Sequence, residues 1–256
     1  MRILITNDDG IQSPGLLAIV QALQKEVECL VVAPHKQCSA TSHSITIYDH
    51  IAVEEVDLNH FKGYSIEGTP ADCVKFAIGE LAKNHKLDLI ISGINLGLNT
   101  GVSVYYSGTV SAAREGMING IPSIAISQAR EQLNDFSFAC KLIQDLVHGH
   151  KHHHLPKDTF LNVNIPHLAH SDIKGIRVTK QAHSRFVEWF EAHEHLSNGK
   201  KKYSIFGNIE MINPDGTSDE EALRLGYAAI TPLRLDLTHY ERLSDIQTWM
   251  DKRRPS

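Results

Sequence analysis

The chain has 256 residues, 42% of them hydrophobic and 21% charged, enough for one large α/β domain or a domain with an appended subdomain. Its net charge of -5 removes the basic footprint that binding to long nucleic acid requires. No apolar run approaches the roughly 20 residues of a membrane span. Cys29, Cys38, Cys73 and Cys140 lie far apart with no C-x-x-C pair, which speaks for reduced thiols and against a zinc cluster. Met1-Arg2 leads straight into an apolar run without a separate leader, so a cytoplasmic protein is expected.

In chain order, Arg2 to Thr6 is β-branched and apolar, as a strand buried on both faces of a parallel sheet would be. Asn7-Asp8-Asp9-Gly10 follows as a turn, and Ser13-Pro14 supplies an N-cap and N1 proline for a helix through Lys25. Cys29 to Ala33 is a second strand, with a polar loop from His35 to Ser44. Thr69-Pro70 starts a helix over Ala71 to about Lys83. Leu87 to Ser92 is a third strand, followed by a glycine-rich loop to Gly108. Thr109 to Asn119 reads as a helix, Pro122 to Ser127 as a strand, Phe136 to about Val147 as a helix and Phe160 to Ile165 as a strand. This alternation predicts a Rossmann-like, doubly wound and mostly parallel α/β sheet with right-handed crossovers.

Beyond Gly175 the segments become shorter and alternating, with a charged stretch from Ser197 to Lys202. A β-rich arm over 175–226 is expected on a core of 1–174, with 227–256 giving a return strand (Ala228 to Pro232) and a final helix (Leu243 to Lys252). A strand pair lacking its own core is expected to pack on, or exchange with, a second subunit; a hairpin folded back on its own domain is the alternative. His148, His150, His152, His153 and His154 form a polar tract that reads as a solvated loop with adventitious metal affinity.

Three loops after strands carry the chemistry: Asn7-Asp8-Asp9, Cys38-Ser39-Ala40-Thr41 and Ser92 to Asn99. In an open α/β sheet, ligands bind where strands end and helices begin. If the three strands are neighbours, two carboxylates, a hydroxyl and an amide oxygen converge, an all-oxygen set suited to Mg²⁺ or Mn²⁺. An acidic turn capping the next helix is the plainer alternative for Asp8-Asp9, and a turn role for Asn95. Ser107-Gly108-Thr109 opens a helix whose free N–H groups and dipole make an anion cradle, or a simple Ser/Thr cap. A cation beside such a cradle points to phosphoryl chemistry. The P-loop and dinucleotide fingerprints are absent. Gly10 stands where a haloacid-dehalogenase-type phosphatase would place its second Asp, which favours activated water over an aspartyl-phosphate route.

These residues resemble the survival-protein SurE family of metal-dependent 5'-nucleotidases from Met1 to about Pro232. Four motifs carry the resemblance in order: Ile3 to Gly10, Gly68-Thr69-Pro70-Ala71-Asp72-Cys73, Ser92 to Asn99, and Tyr106-Ser107-Gly108-Thr109-Val110. The resemblance implies that Asp8, Asp9, Ser39 and Asn95 hold one divalent cation per subunit, Mg²⁺ or Mn²⁺. It also implies phosphate contacts from Asn99, Ser107, Gly108 and Thr109, with Asp8, Asp9, Asn99 and Thr109 catalytic. It departs at His35 and Cys38, where Asp and Arg are common in the family. The expected function is hydrolysis of nucleoside 5'-monophosphates, with 3'-nucleotides and short polyphosphate as further substrates, by a homodimer or homotetramer with an exchanged C-terminal arm. A nucleotide-binding regulator without turnover is the alternative and would require a broken metal cluster.

Overall fold

The computed structural model describes residues 1–58, 61–130, 135–153, 155–156, 158–195 and 200–253. Its strands are β1 (Arg2–Thr6), β2 (Glu28–Pro34), β3 (Val53–Asp57), β4 (Lys62–Ile66), β5 (Leu89–Leu96), β6 (Ser123–Gln128), β7 (Phe160–Ile165), β8 (Ile176–Val178), β9 (Ser184–His195), β10 (Lys201–Met211) and β11 (Ala228–Leu233). The helices are α1 (Pro14–Leu23), α2 (Pro70–Phe76), α3 (Gly108–Ile118), α4 (Ser137–His152), α5 (Asp219–Arg224) and α6 (Leu243–Asp251). Nine strands form one sheet in the order β3-β4-β2-β1-β5-β6-β7-β11-β8. The run from β4 to β7 is parallel, while β3 pairs antiparallel with β4 and β11 with β7. This is the expected Rossmann-like α/β sheet. From β1 the chain winds outward to β2 and β4, then returns to β5 on the other side of β1. The order therefore reverses between β1 and β5, where a ligand crevice forms.

The sheet is buried on both faces, which explains the continuous apolar β1. Ile3 and Ile5 pack among α1 and α4 with Leu16, Ile19, Ala139 and Ile143, while Leu4 faces Cys73, Val74 and Ala112 of α2 and α3. Gly15 lets α1 start flat against β5, because a Cβ there would stand 2.1 Å from the Ile94 carbonyl oxygen. Ser13 Oγ caps that helix through the Leu16 amide at 3.4 Å.

Several elements differ from the sequence reading, each for a physical reason. β3 and β4 are absent from that reading because β3 is a charged, exposed edge strand, the kind of polar edge that discourages further pairing and hides the apolar alternation. β5 runs through Gly93 to Leu96, so Asn95 lies on the strand and pairs with Ser127. The histidine tract is corrected from loop to helix: α4 extends to His152, and His150 is buried on the same helical face as Ala139, Leu142, Ile143 and Val147. His148 Nε2 also meets Glu26 Oε2 at 2.6 Å; His154 lies outside the described residues.

Within 175–226, β9 and β10 form an antiparallel pair, β8 joins the edge of the main sheet, and α5 adds one short helix. The hairpin stacks Trp189 on Phe206 at 6.1 Å. Phe186, Phe190, Tyr203 and Ile205 remain exposed. Among the described residues, no helix is long and apolar enough to cross a membrane.

Candidate active site

β2, β1 and β5 are adjacent and parallel, so the three loops that follow them meet at one sheet edge. They enclose an open cleft of about 230 Å³ lined by Asp8, Asp9, Ser39, Asn95, Asn99 and Ser107, with Gln37, Ser103, Tyr106 and Arg130 at its sides. A larger hollow of about 590 Å³ lies at the opposite edge, beside Met1, Asp88 and Gly120. It gathers none of these polar groupings, so chemistry and not size locates the site.

The first loop is built around Asn7, whose amide serves the turn. Its Nδ2 donates to the Gly10 carbonyl at 3.0 Å and to Ser13 Oγ at 2.6 Å, and its Oδ1 accepts from the Gly10 amide at 3.2 Å. Asp8 and Asp9 are thereby left to the cleft. Asp8 is 5% exposed. Thr109 Oγ1 donates to its Oδ1, and the Cys38 amide donates to its carbonyl at 2.7 Å, tying the second loop to the first. Burial pushes the Asp8 carboxyl up to about 6 against the opposing Thr109 hydrogen bond, with Asp9 adding to the rise. Burial also raises Asp9, although the Leu96 amide and the Gln37 side chain draw it down. Those two donors lie 3.4 and 3.1 Å from its carboxylate oxygens.

The loop carrying Ser39 is held from three sides. Ser42 donates through its amide to the Tyr106 carbonyl at 3.0 Å and through Oγ to the Tyr105 carbonyl at 2.7 Å. Asp72 of α2 accepts from the Thr46 amide and hydroxyl at 2.9 and 2.7 Å. Glu115 of α3 meets His43 at 2.9 Å and Lys75 at 2.8 Å. Burial pushes Glu115 up, but His43, Lys75 and Asn119 outweigh it and hold the carboxyl below its ordinary value. Ser39 itself is exposed at the cleft. Burial and then Asp8 raise the pKa of the Cys38 thiol, which disfavours a thiolate there.

Asn95 donates from Nδ2 to the Gly97 carbonyl at 2.6 Å, which leaves its oxygen for the cleft. Asn99 is fixed by its neighbours: its amide donates to Asn164 Oδ1 at 2.8 Å, its Nδ2 to Ser127 Oγ at 2.8 Å, and its carbonyl accepts from Asn162 at 2.7 Å. Ser107 is the N-cap of α3, accepting from the Val110 amide at 3.1 Å. Gly108 is required by close approach, since a Cβ would stand 2.8 Å from Asp8 Cβ.

All eight residues singled out from the sequence therefore lie at or beside one cleft. They do not divide cleanly into a cation group and a phosphate group. Thr109, expected to contact phosphate, is fully buried and gives its hydroxyl to Asp8, so it joins the two groups. Gln37, Ser103, Tyr106 and Arg130 were not singled out. Arg130 follows β6, whose adjacency to β5 is a property of strand order that no local motif announces. Among the described residues no three His, Cys, Asp or Glu side chains gather to hold a metal, so any cation here would depend on the neutral oxygens of Ser39 and Asn95 besides the two carboxylates.

The chain matches the family model described as "Survival protein SurE" over residues 3–188. The protein named 5'-nucleotidase SurE from Petrotoga mobilis is 38% identical over 252 residues, covering 98% of this chain and 100% of that one. The protein of the same name from Pelotomaculum thermopropionicum is 43% identical over 244 residues, covering 94% of this chain and 92% of its own length. The crystal structure of the SurE protein from Aquifex aeolicus superimposes with a TM-score of 0.83 at 38% identity, covering 98% of this chain and 100% of that chain. With the fold, the four motifs and these full-length relatives in agreement, the chain belongs to the survival protein SurE family.

Proposed function

We propose that the chain is a divalent-cation-dependent 5'-nucleotidase, a phosphoric monoester hydrolase acting on nucleoside 5'-monophosphates. The nucleotidase assignment follows from family membership and from relatives of that name aligned along nearly the whole chain. The cation dependence rests on one observation. Asp8 is a buried carboxylate beside a second carboxylate, and no ion pair within 4 Å reaches either among the described residues. Such a grouping is costly unless a cation compensates it.

The donor set fits a hard cation: two carboxylates, the Ser39 hydroxyl and the Asn95 amide oxygen. When bound there, Mg²⁺ or Mn²⁺ supplies Lewis acidity toward water and neutralises phosphate charge. The protein's own groups do the rest. Thr109 holds Asp8 through Oδ1, leaving Oδ2 to orient water at the phosphorus and to receive a proton. Asn99 and Ser107, with the first amides of α3, face the phosphoryl oxygens as preorganised donors. Nucleoside 3'-monophosphates and short polyphosphate present the same terminal phosphoryl group and belong to the proposed substrate range. Four free cysteines suit a reducing compartment, and a cytosolic enzyme is part of this reading. So is a homodimer or homotetramer, because the hairpin leaves its rings exposed.

The reading is tested by phosphate release from a panel of 5'- and 3'-nucleotides with each cation, using the parent and Asp9→Asn. The variant is expected to fold normally and to lose a factor on the order of 10² or more in turnover. Near-parent turnover by folded Asp9→Asn at limiting Mn²⁺ would remove Asp9 from the cation site.

Thr109→Val gives a second check that preserves side-chain volume. The Thr109 hydrogen bond lowers the Asp8 pKa, so its loss should raise that pKa and move the acid limb of the rate profile to higher pH. Mn²⁺ affinity at pH 6 should fall in parallel, because more of Asp8 would be protonated. An acid limb and an affinity both unchanged would show that Thr109 does not act through Asp8.

A further inference from the structure

We propose that Arg130 is a phosphoryl-recognition residue, the cation that meets the substrate's terminal phosphate at the side of the cleft. This inference rests on the nucleotidase reading above. Four adjacent parallel strands, β2, β1, β5 and β6, end at the cleft, and Arg130 is the contribution from the fourth. Its backbone is clamped: the preceding Ala129 amide donates to the Ile165 carbonyl at 3.0 Å, and His167 Nδ1 lies 3.0 Å from the Arg130 carbonyl oxygen. The side chain therefore starts from a fixed point beside the carboxylates, and it makes no ion pair or hydrogen bond among the described residues.

Charge balance gives that guanidinium a role. Two carboxylates and one divalent cation sum to zero, while a phosphate monoester brings about -1.5 to -2 at neutral pH. Asn99, Ser107 and the start of α3 offer dipoles but no formal charge. Among the described residues lining the cleft, Arg130 is the one cationic side chain, and its charge already acts on Asp9. A guanidinium can also grip two phosphoryl oxygens at once, which gives it orientation as well as attraction. The phosphate motifs of the sequence did not include it.

The test uses the full chain with Mg²⁺, inorganic phosphate as a calorimetric probe, and adenosine 5'-monophosphate and p-nitrophenyl phosphate as substrates. Arg130→Gln is expected to weaken phosphate binding and to raise KM for both substrates by about tenfold, with a smaller change in kcat. Arg130→Lys, which keeps the charge, should recover part of the loss, and added salt should weaken phosphate binding by the parent more than by Arg130→Gln. Unchanged phosphate affinity and KM in Arg130→Gln would overturn the proposal. So would a KM change confined to the nucleotide, which would move the contact to the nucleoside, or equal losses in Gln and Lys variants with lowered thermal stability. A parent that binds phosphate through Arg130 but turns over no nucleotide with any cation would refute the nucleotidase reading and leave the Arg130 contact standing.

Discussion

Replacing Asp8 with asparagine is expected to abolish hydrolysis and, in the metal-free protein above pH 6, to raise thermal stability. Asp8 has its carboxyl lifted from 3.8 to about 6 chiefly by burial. A carboxyl whose folded pKa exceeds its unfolded value keeps its proton longer in the folded state. The metal-free fold is therefore most stable, with respect to this group, below about pH 4, loses stability as pH rises to about 6, and is level above that. At about 1.4 kcal/mol per pKa unit the ionised group costs about 3 kcal/mol. For a chain of this size that corresponds to a rise in Tm of roughly 5 °C or more when the charge is removed. Mn²⁺ should raise the parent's Tm at pH 7.5, do so much less at pH 5, and leave Asp8→Asn nearly unmoved. Melting curves with and without the cation at both pH values check each part. A metal-free Asp8→Asn that melts below the parent at pH 7.5 would show that the carboxylate is not a destabilising charge.

The second large effect concerns assembly. β9 and β10 pair only with each other in the described sheets, and Phe190, Tyr203 and Ile205 are 65%, 55% and 57% exposed. A two-stranded ribbon with rings facing water is marginal by itself, and a surface of this kind marks a contact. Exchange of the ribbon between two copies would cover the rings and close a two-fold dimer. Replacing 184–211 with a short flexible linker is expected to convert the proposed dimer or tetramer to a monomer while Mn²⁺ binding persists, since Asp8, Asp9, Ser39 and Asn95 are carried by β5 and by the loops after β1 and β2, outside the deleted segment. Light scattering on both proteins decides this. A parent that is monomeric at micromolar concentration would return the hairpin to its own domain.

The strands that build the site were legible because each is buried on both faces: β1 and β7 have the limits expected from their apolar runs. The edge strand β3 was not, because an exposed edge carries charge where a core strand carries apolar residues, and neither was its inner neighbour β4, whose Lys62-Gly63-Tyr64-Ser65 offers no apolar run. Asp8, Asp9 and the start of α3 stood out as candidates because their residue types are costly or distinctive where they stand, and the structure brings them to one cleft. Their division of labour was not legible. Thr109 reads as a phosphate donor in the motif, yet folding places it against Asp8, 101 residues away in sequence. Arg130 stayed hidden for the complementary reason: an arginine after a strand is ordinary, and only the adjacency of β5 and β6 brings it to the cleft. The histidine tract misled through composition, since its polar residues continue the buried face of α4 through His150.

In the proposed enzyme the Asp8–Asp9 pair holds a divalent cation on which nucleotide hydrolysis depends. The most direct test of this reading is phosphate release from adenosine 5'-monophosphate by the chelator-treated full chain as Mn²⁺ is added back, with cation binding measured in the same samples. Activity should be absent without the cation and should rise in proportion to occupancy up to one Mn²⁺ per chain. Hydrolysis that continues at full rate after chelation, or Mn²⁺ binding that survives unchanged in the Asp8→Asn and Asp9→Asn proteins, would contradict it.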